Sequence, residues 1–259
     1  MVNYTDVNAR TIDSWVEKGW EWGTPVCELV CEKARLGDWD VVLTPKRPVP
    51  KDWFPDFKGL KVLGLASGGG QQMPLFSILG AVCTVMDYSD RQLESERLVS
   101  EREGYSIEIV KADMTLEFPF SDEVFDLIFH PVSNCYVEDV YHVWRECYRV
   151  LRQGGVLLSG LDNGINYLFD EDAEPLVVKN SLPFNPLKNP KLMEKLIRDN
   201  DGVQFSHTFD EQIGGQIKAG FHIVGAYEDY NHSVVEKLAT TDAGIPAFWA
   251  TRAVKPWRD

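Results

Sequence analysis

The amino-acid sequence predicts an α/β fold in which a mostly parallel sheet carries helices on both faces. From residue 60 onward, short apolar runs of strand length alternate with segments of helical periodicity, and such alternation builds parallel sheets. The run 61–70, KVLGLASGGG, passes from a buried-strand pattern into three consecutive glycines. Asp87 ends the next apolar run, 19 residues after Gly68. This spacing is close to the roughly 20 residues of a nucleotide-binding βαβ unit, so it indicates a cofactor site at the strand ends.

The elements of this sheet follow from apolar runs bounded by turn residues. The first five strands are predicted at residues 60–65, 81–87, 107–112, 125–130 and 156–160. The helices between them are predicted at residues 71–79, 90–103 and 136–151. Ser89 and Gln92 predict a capping box at the start of the second of these helices, and Gly154-Gly155 predicts the end of the third. Two later apolar runs, 221–227 and 247–254, predict an antiparallel pair at one edge of the sheet.

The rest of the chain is expected to complete a single domain over residues 1–259. Residues 1–55 are expected to form a helical cap followed by a proline-rich linker, with helix predicted over residues 8–36. The cofactor-binding core is expected at residues 56–162. An insertion at 163–206 contains a small helix that begins at Asn189-Pro190. Because it follows the carboxyl end of a strand, it is predicted to cover the binding crevice as a lid. In the C-terminal part, 207–259, the pair Thr208 and Glu211 predicts another capping box before the strand pair.

Charge and composition narrow the class of partner. The chain has 40 acidic and 26 basic residues, a net charge of −14, and no basic cluster that would follow nucleic-acid phosphates. Its five cysteines include no C-x-x-C pair and have no nearby histidine partners, so no metal site is predicted. No apolar run approaches the roughly 20 residues of a membrane span. We expect a cytoplasmic enzyme, monomeric or homodimeric, that binds neither nucleic acid nor membranes.

Residues 60–160 resemble the class I S-adenosylmethionine-dependent methyltransferases of the small-molecule type. The first motif of this family is an acidic residue followed by G-x-G-x-G. Gly68 and Gly70 match this motif, Ala66 stands at the first glycine, and Gly64 stands where the acidic residue is expected. The resemblance implies a Rossmann-like, seven-stranded sheet of order 3-2-1-4-5-7-6 with strand 7 antiparallel. It also implies that S-adenosyl-L-methionine is the methyl donor and S-adenosyl-L-homocysteine the product.

The resemblance assigns donor binding to the glycine loop and to the strand ends beside it. Asp87 matches the carboxylate that receives both ribose hydroxyls, although a strand-end aspartate can also cap the next helix. Asp113 and Met114 match the motif that meets the adenine ring, although Asp113 can also be a turn residue. The full set implied for the donor is Ala66, Ser67, Gly68, Gly70, Gln71, Asp87, Tyr88, Asp113, Met114 and His130.

The segment after the fourth strand, His130-Pro131-Val132-Ser133, bears on the acceptor. Nucleic-acid amino-methyltransferases commonly carry an Asn/Asp-Pro-Pro-aromatic element here, and its absence from this acidic chain favours a small-molecule acceptor. His130 is either a general base or a packing residue that orders the loop. Methyl transfer from a sulfonium is an in-line displacement that positioning can catalyse without a dedicated base.

The acceptor pocket is expected between His130, the N-terminal aromatic segment and the insertion. Its candidate residues are Tyr4, Trp15, Trp20, Tyr167 and His207. Two other functions use the same loop: a non-catalytic S-adenosylmethionine-binding protein and an NAD-dependent oxidoreductase. The oxidoreductase fits less well, because Met73 stands where G-x-G-x-x-G has its third glycine.

Overall fold

Seven strands form one mixed sheet in the order β3-β2-β1-β4-β5-β7-β6. The structure is a computed structural model and describes residues 3–169, 177–230 and 245–257. The strands are β1 Lys61–Leu65, β2 Val82–Asp87, β3 Glu108–Lys111, β4 Phe125–His130, β5 Leu151–Asp162, β6 His222–Asp229 and β7 Phe248–Val254. β7 is antiparallel to both of its neighbours, and the other neighbouring pairs are parallel. The predicted strand order and the antiparallel strand 7 are confirmed.

Seven α-helices surround the sheet in the described residues. They are α1 Tyr4–Glu17, α2 Glu28–Arg35, α3 Gln72–Ile78, α4 Asp90–Glu103, α5 Val140–Val150, α6 Pro190–Asp199 and α7 Gly215–Ala219. Successive strand residues point to opposite faces, so Val62 and Leu63 belong to different buried apolar clusters. One cluster includes Phe76 of α3, and the other includes Trp144 of α5. Helices therefore cover both faces, and none of those described has the length and apolarity to cross a membrane.

The N-terminal helix predicted over residues 8–36 is wrong in its extent. The structure has two helices, α1 and α2, separated by a loop with a short 3₁₀ turn at Glu21–Gly23. Gly19 adopts a φ of +86° directly after α1, and Pro25 has no N–H to donate to a continuing helix. These two residues interrupt the apolar periodicity that suggested one long element.

The boundaries around β5 also differ from the prediction. Helix α5 begins at Val140, after a 3₁₀ turn at Asn134–Tyr136, because Asp139 caps it by accepting the N–H of Tyr141. Gly154-Gly155 does not end the helix, because β5 has already begun at Leu151 and runs through both glycines. The pairing with β4 shifts register in this region, so the glycines mark a strand irregularity. β5 also extends two residues beyond the predicted end, to Asp162.

The predicted caps are confirmed in three places. Ser89 Oγ accepts the N–H of Gln92 at 3.1 Å at the start of α4, but the Ser89 N–H donates to Asp87, so only half of the predicted capping box forms. Glu211 N–H and Thr208 Oγ1 lie 3.1 Å apart, and Glu211 Oε2 accepts the Thr208 N–H, which completes a capping box. Asn189 caps α6, whose first residue is Pro190. Residues 170–176 of the insertion, including Pro175, and residues 231–244 between β6 and β7 lie outside the described residues.

Candidate functional site

A cavity of about 730 Å³ lies at the carboxyl ends of the parallel strands. The ends of β1, β2, β4 and β5 contribute Ala66, Asp87, Pro131 and Asp162 to its lining. Residues of α1 and of the insertion after β5 line it from the other side. Open parallel sheets bind ligands in this crevice.

The glycine loop at residues 66–70 combines exposure to the cavity with tight packing behind it. Ala66 lies in the left-handed region with a φ of +46°, and its N–H donates to the Met86 carbonyl at 2.8 Å. Gly68 lines the cavity. Gly70 does not, because it packs against α4, where a Cβ would lie 2.7 Å from the Ser95 carbonyl oxygen. The loop thus needs glycine at position 70 for packing.

Gly64 stands where the acidic residue of the glycine motif was expected, and the structure accounts for its absence. A Cβ at this position would lie 2.7 Å from the sulfur of Met73. Gly64 and Met73 are both buried, and Met73 fills the space that a larger side chain on β1 would need. An acidic side chain at position 64 would displace Met73 from the core.

Asp87 lines the cavity directly beside the glycine loop. Its Oδ2 accepts the N–H of Gly68 at 3.1 Å, and its Oδ1 accepts the N–H of Ser89 at 3.0 Å. Burial raises the pKa of the Asp87 carboxyl, while these backbone donors lower it. Ser89, not Asp87, caps α4. Tyr88 also lines the cavity, and its hydroxyl donates to Asp6 of α1 at 2.8 Å.

Asp113 and Met114 line the cavity beyond the end of β3. Asp113 Oδ1 accepts the N–H of Thr115 at 2.9 Å and the hydroxyl of the same residue at 2.8 Å. Asp113 is therefore a turn residue and a cavity residue at the same time. The two alternatives that the sequence left open for it do not exclude each other.

Helix α1 ties the insertion to the core above the cavity. The Asn8 side chain donates to the Val203 carbonyl at 2.9 Å and accepts the Val203 N–H at 2.6 Å. On the core side, Asp13 Oδ1 accepts the Ser89 hydroxyl at 2.6 Å and the Arg91 N–H at 2.9 Å. The N-terminal cap and the insertion thus form one connected cover over the strand ends.

His130 does not line the cavity. It is 0% exposed, with Nδ1 3.0 Å from the Leu65 carbonyl oxygen and Nε2 2.8 Å from Asn134 Oδ1. Its ring lies edge-on to Trp144 of α5, on the face of the sheet away from α3. Burial lowers the pKa of the imidazole. These contacts connect the end of β1 to the loop after β4.

Comparison with known proteins decides the family. A family model described as "Methyltransferase domain" matches residues 63–159. The protein named as uncharacterized methyltransferase YbaJ of Bacillus subtilis (strain 168) is 46% identical over 253 residues, which cover 96% of this chain and 97% of that protein. The chain belongs to the class I S-adenosylmethionine-dependent methyltransferases.

Two further proteins are similar to this chain over most of its length. The sterol 24-C-methyltransferase of Pneumocystis carinii (strain B80) is 24% identical over 209 residues, which cover 78% of this chain and 49% of that enzyme. The crystal structure of an S-adenosylmethionine-dependent methyltransferase from Mesorhizobium loti has a TM-score of 0.59 at 19% identity. That match covers 79% of this chain and 94% of the other, and shows a shared fold.

The groups at the glycine-loop end of this methyltransferase cavity fit the donor chemically. We define this end by Ala66, Gly68, Asp87 and Asp113, and Ser67, Gln71, Tyr88 and Met114 line the cavity with them. Gln92 also lines it, and its buried Oε1 has no hydrogen-bond partner among the described residues. Buried acceptors normally have partners, and the hydroxyl and ammonium groups of the donor could supply them.

The residues predicted for the acceptor divide into two groups. Trp20 and Tyr167 line the cavity, whereas Tyr4, Trp15 and His207 do not. Tyr4 accepts the Glu138 N–H at 3.2 Å and Trp15 donates to the Asn200 carbonyl at 3.2 Å. His207 Nε2 lies 3.0 Å from the Asn134 carbonyl oxygen. The three residues outside the lining therefore support the cover from behind.

Sequence reasoning missed the residues at the opposite end, which we call the β5 end and define by Cys135, Asp162, Tyr167 and Gln204. All four line the cavity, although only Tyr167 was predicted. Asp162 ends a strand, as Asp87 does. The same pattern, an acidic residue at the carboxyl end of an apolar run, would have identified it if the fifth strand had been extended past residue 160.

Proposed function

We propose that this methyltransferase transfers the methyl group to a small-molecule acceptor by in-line displacement. The observation that carries this proposal is one covered cavity of about 730 Å³ that reaches from the glycine-loop end to the β5 end. Ligand pockets of roughly 300–1,000 Å³ hold small molecules, so the volume favours a donor and a small acceptor side by side. The acidic chain, with a net charge of −14, also favours a small molecule over a nucleic acid.

At the glycine-loop end, we assign each lining group to a part of the donor. Asp87 would accept the ribose hydroxyls, since each carboxylate oxygen has a further lone pair beyond its backbone donor. Asp113 would meet the adenine amine, and Met114 would pack on the ring. The donor supplies a methyl group on a sulfonium, which is a good leaving group. The chain then needs to hold donor and acceptor in line and exclude water.

For His130 we propose a positioning role. A general base must come within hydrogen-bond reach of the proton that it removes, and this imidazole is buried behind the lining with both nitrogens near protein acceptors. It would hold the loop after β4, where Pro131 and Ser133 line the cavity. This is the loop-ordering alternative that the sequence left open.

The cover formed by the N-terminal cap and the insertion would act as the lid. It contributes Asn8, Trp20, Tyr167 and Gln204 to the lining. Its connection through Asn8 and Val203 couples the two segments, so they would move together when ligands enter. The sterol methyltransferase relative is named for a small-molecule acceptor, which agrees with an acceptor site of this size beneath the cover.

Two measurements test this function. Calorimetric titration of the wild-type chain with S-adenosylhomocysteine should show binding, and titration with NAD should show none; the reverse would favour an oxidoreductase. Incubation with methyl-labelled S-adenosylmethionine and a metabolite extract should then give a labelled small molecule. Binding of S-adenosylhomocysteine without any labelled product would favour the non-catalytic alternative.

A further inference from the structure

Asp162 is a buried carboxyl that faces the cavity at the end of β5. The residue is 7% exposed, and its Oδ1 accepts the Gly164 N–H at 2.5 Å. Burial raises the pKa of Asp162 to about 7, and the Gly164 N–H is the one group among the described residues that offsets this effect. An asparagine could serve the same turn without the penalty of a buried charge. The turn alone therefore does not account for a carboxyl at this position.

The position of Asp162 relative to the glycine loop suits a group that meets the acceptor. β5 lies beside β4 in the sheet, and His130, the last residue of β4, pairs with Ser159. Asp162 thus lies three residues beyond the end of β4, on the neighbouring strand. Asp87, in contrast, lies on β2, on the other side of β1. The two carboxyls face one cavity from opposite sides of the central strands.

The charges of the cavity as a whole favour a cation over an anion as ligand. Of the charged side chains that line the cavity within the described residues, four are acidic and one, Lys46, is basic. Asp162 shares the lining with aromatic rings, which attract cations through their faces. These rings include Trp20, Tyr136, Tyr167 and Phe248. A protonated amine would supply both the positive charge and the hydrogen-bond donors that a buried carboxylate needs.

On the basis of the proposed function, we infer that Asp162 binds and deprotonates the acceptor, and that this acceptor is a small amine. The ammonium group first gives one proton to the Asp162 carboxylate, which leaves a neutral amine and a carboxylic acid. The nitrogen lone pair then forms a bond to the methyl carbon, while the carbon–sulfur bond breaks and its electron pair stays on sulfur. The products are an N-methylated ammonium ion and S-adenosylhomocysteine. The carboxylic acid then releases its proton to water.

The proton affinities of the two groups suit this transfer. A simple alkylamine has a pKa near 10.4, as in lysine, about 3 units above the pKa of Asp162 before ligands bind. The positive charge of the sulfonium lowers the proton affinity of both groups. An aspartate of ordinary pKa, about 3.9, would be a weaker base. The raised pKa of this carboxyl thus suits an acceptor that must lose a proton before its nitrogen can attack the methyl group.

The experiment uses the wild-type chain, S-adenosylmethionine with a ¹³C-labelled methyl group, and the small-molecule fraction of a bacterial extract. Mass spectrometry and NMR would identify the labelled product and the atom that carries the methyl group. We expect the label on nitrogen. The Asp162→Asn variant should lower the rate about 100-fold or more and weaken calorimetric binding of the identified amine. Its affinity for S-adenosylhomocysteine should change less than about twofold.

Asp126→Asn is the matched control, because it removes a carboxylate from the opposite end of β4, where Asp126 pairs with Arg152. It should leave rate and binding within about twofold of wild type. A label on oxygen, sulfur or carbon overturns the inference, as does an Asp162→Asn variant with wild-type rate. The product is identified with the wild-type chain, so this result does not depend on the folding of a variant. If no labelled product forms, the proposed function itself fails.

Discussion

At the glycine-loop end of the cavity, Ala66, Gly68, Asp87 and Asp113 come from consecutive strand-and-loop units within 48 residues of sequence. At the β5 end, Cys135, Asp162, Tyr167 and Gln204 lie within 70 residues, but Phe248 joins them from β7, where it pairs with Asp162. The first end is built by repeated local geometry and the second by tertiary contacts. The difference indicates that local sequence patterns specify the residues of the glycine-loop end, which we assign to the donor.

Each end also has a buried carboxyl, and the two carboxyls differ in what they face. Glu96 lies behind the glycine loop, where Oε1 accepts the Gly70 N–H at 2.8 Å and Oε2 has no partner among the described residues. Burial raises the pKa of Glu96 to about 8. Asp162 has a similarly raised pKa but lines the cavity. Both carboxyls are therefore buried, but only Asp162 of the two lines the cavity, and it is the one for which we propose a chemical role.

The largest effect is expected for Glu96→Gln, and it should appear in stability at high pH. The folded protein holds the Glu96 proton up to a pH of about 8, whereas the unfolded chain loses it near 4.5. Wild-type stability should thus fall as the pH rises through this window. Glutamine keeps an oxygen for the Gly70 N–H but has no charge. At pH 9 the variant should exceed wild type by up to about 5 kcal/mol.

Urea unfolding at pH 4.5 and pH 9 measures this difference. The two proteins should be nearly equal at the lower pH. A difference of the same size at both pH values would show that ionisation of Glu96 is not its cause.

Gly68→Val comes next and tests the packing of the loop. A Cβ at Gly68 would lie 2.6 Å from the Cβ of Gln92 and 3.0 Å from Oδ2 of Asp87. The new side chain should push Asp87 and the loop apart, with a loss of roughly 1–3 kcal/mol of stability. The affinity for S-adenosylhomocysteine should fall more than about 100-fold, or about 2.7 kcal/mol.

Calorimetry on the folded fraction checks this prediction. Gly214→Val is the control, because a Cβ at that glycine would have its nearest neighbour at 4.0 Å and it lies away from the cavity lining. An unchanged dissociation constant for Gly68→Val would mean that the loop is only a turn.

Ala66→Gly should have the smallest effect. Ala66 holds a φ of +46°, a conformation that costs an alanine roughly 1–2 kcal/mol and a glycine little. The greater freedom of glycine in the unfolded chain offsets part of this gain, so the variant should be about 0.5–1 kcal/mol more stable. Urea unfolding measures the change, with Ala34→Gly in α2 as a control that should be destabilised. A less stable Ala66→Gly would contradict the strain at this position.

The sequence predicted the residues placed by local structure more accurately than those placed by tertiary contacts. The positions of Gly68, Asp87 and Asp113 in the lining could be predicted from the sequence. Each lies in a loop or at a strand end that the adjacent residues of the sequence are enough to identify. The resemblance assigned His130, the last residue of the fourth strand, to the donor site, with a general base or a loop-ordering residue as the alternatives. Alternate strand residues point to opposite faces, however, and His130 faces Trp144 of α5. Such an orientation depends on which helix covers which face.

The acceptor end was harder to predict for a different reason. Asp162 was missed because the fifth strand was predicted to end at residue 160, two residues before its observed end. Tyr4 and Trp15 were grouped with Trp20 by composition, but Trp20 alone of the three reaches the cavity lining. The side that each of these side chains faces is set by the contacts of α1 with Asn200 and Val203, which are about 190 residues away in sequence.

The most direct test of the account is calorimetric titration of S-adenosylhomocysteine into wild type, Asp87→Ala and Asp126→Ala. Asp87 accepts two backbone N–H groups and faces the cavity, whereas Asp126 pairs with Arg152 at the opposite end of β4. We expect Asp87→Ala to weaken binding by about 1.5–3 kcal/mol, the scale of lost charge-assisted hydrogen bonds. Asp126→Ala should bind as wild type does. Wild-type affinity in a folded Asp87→Ala variant would remove this residue from the donor site and contradict the assignment of the glycine-loop end.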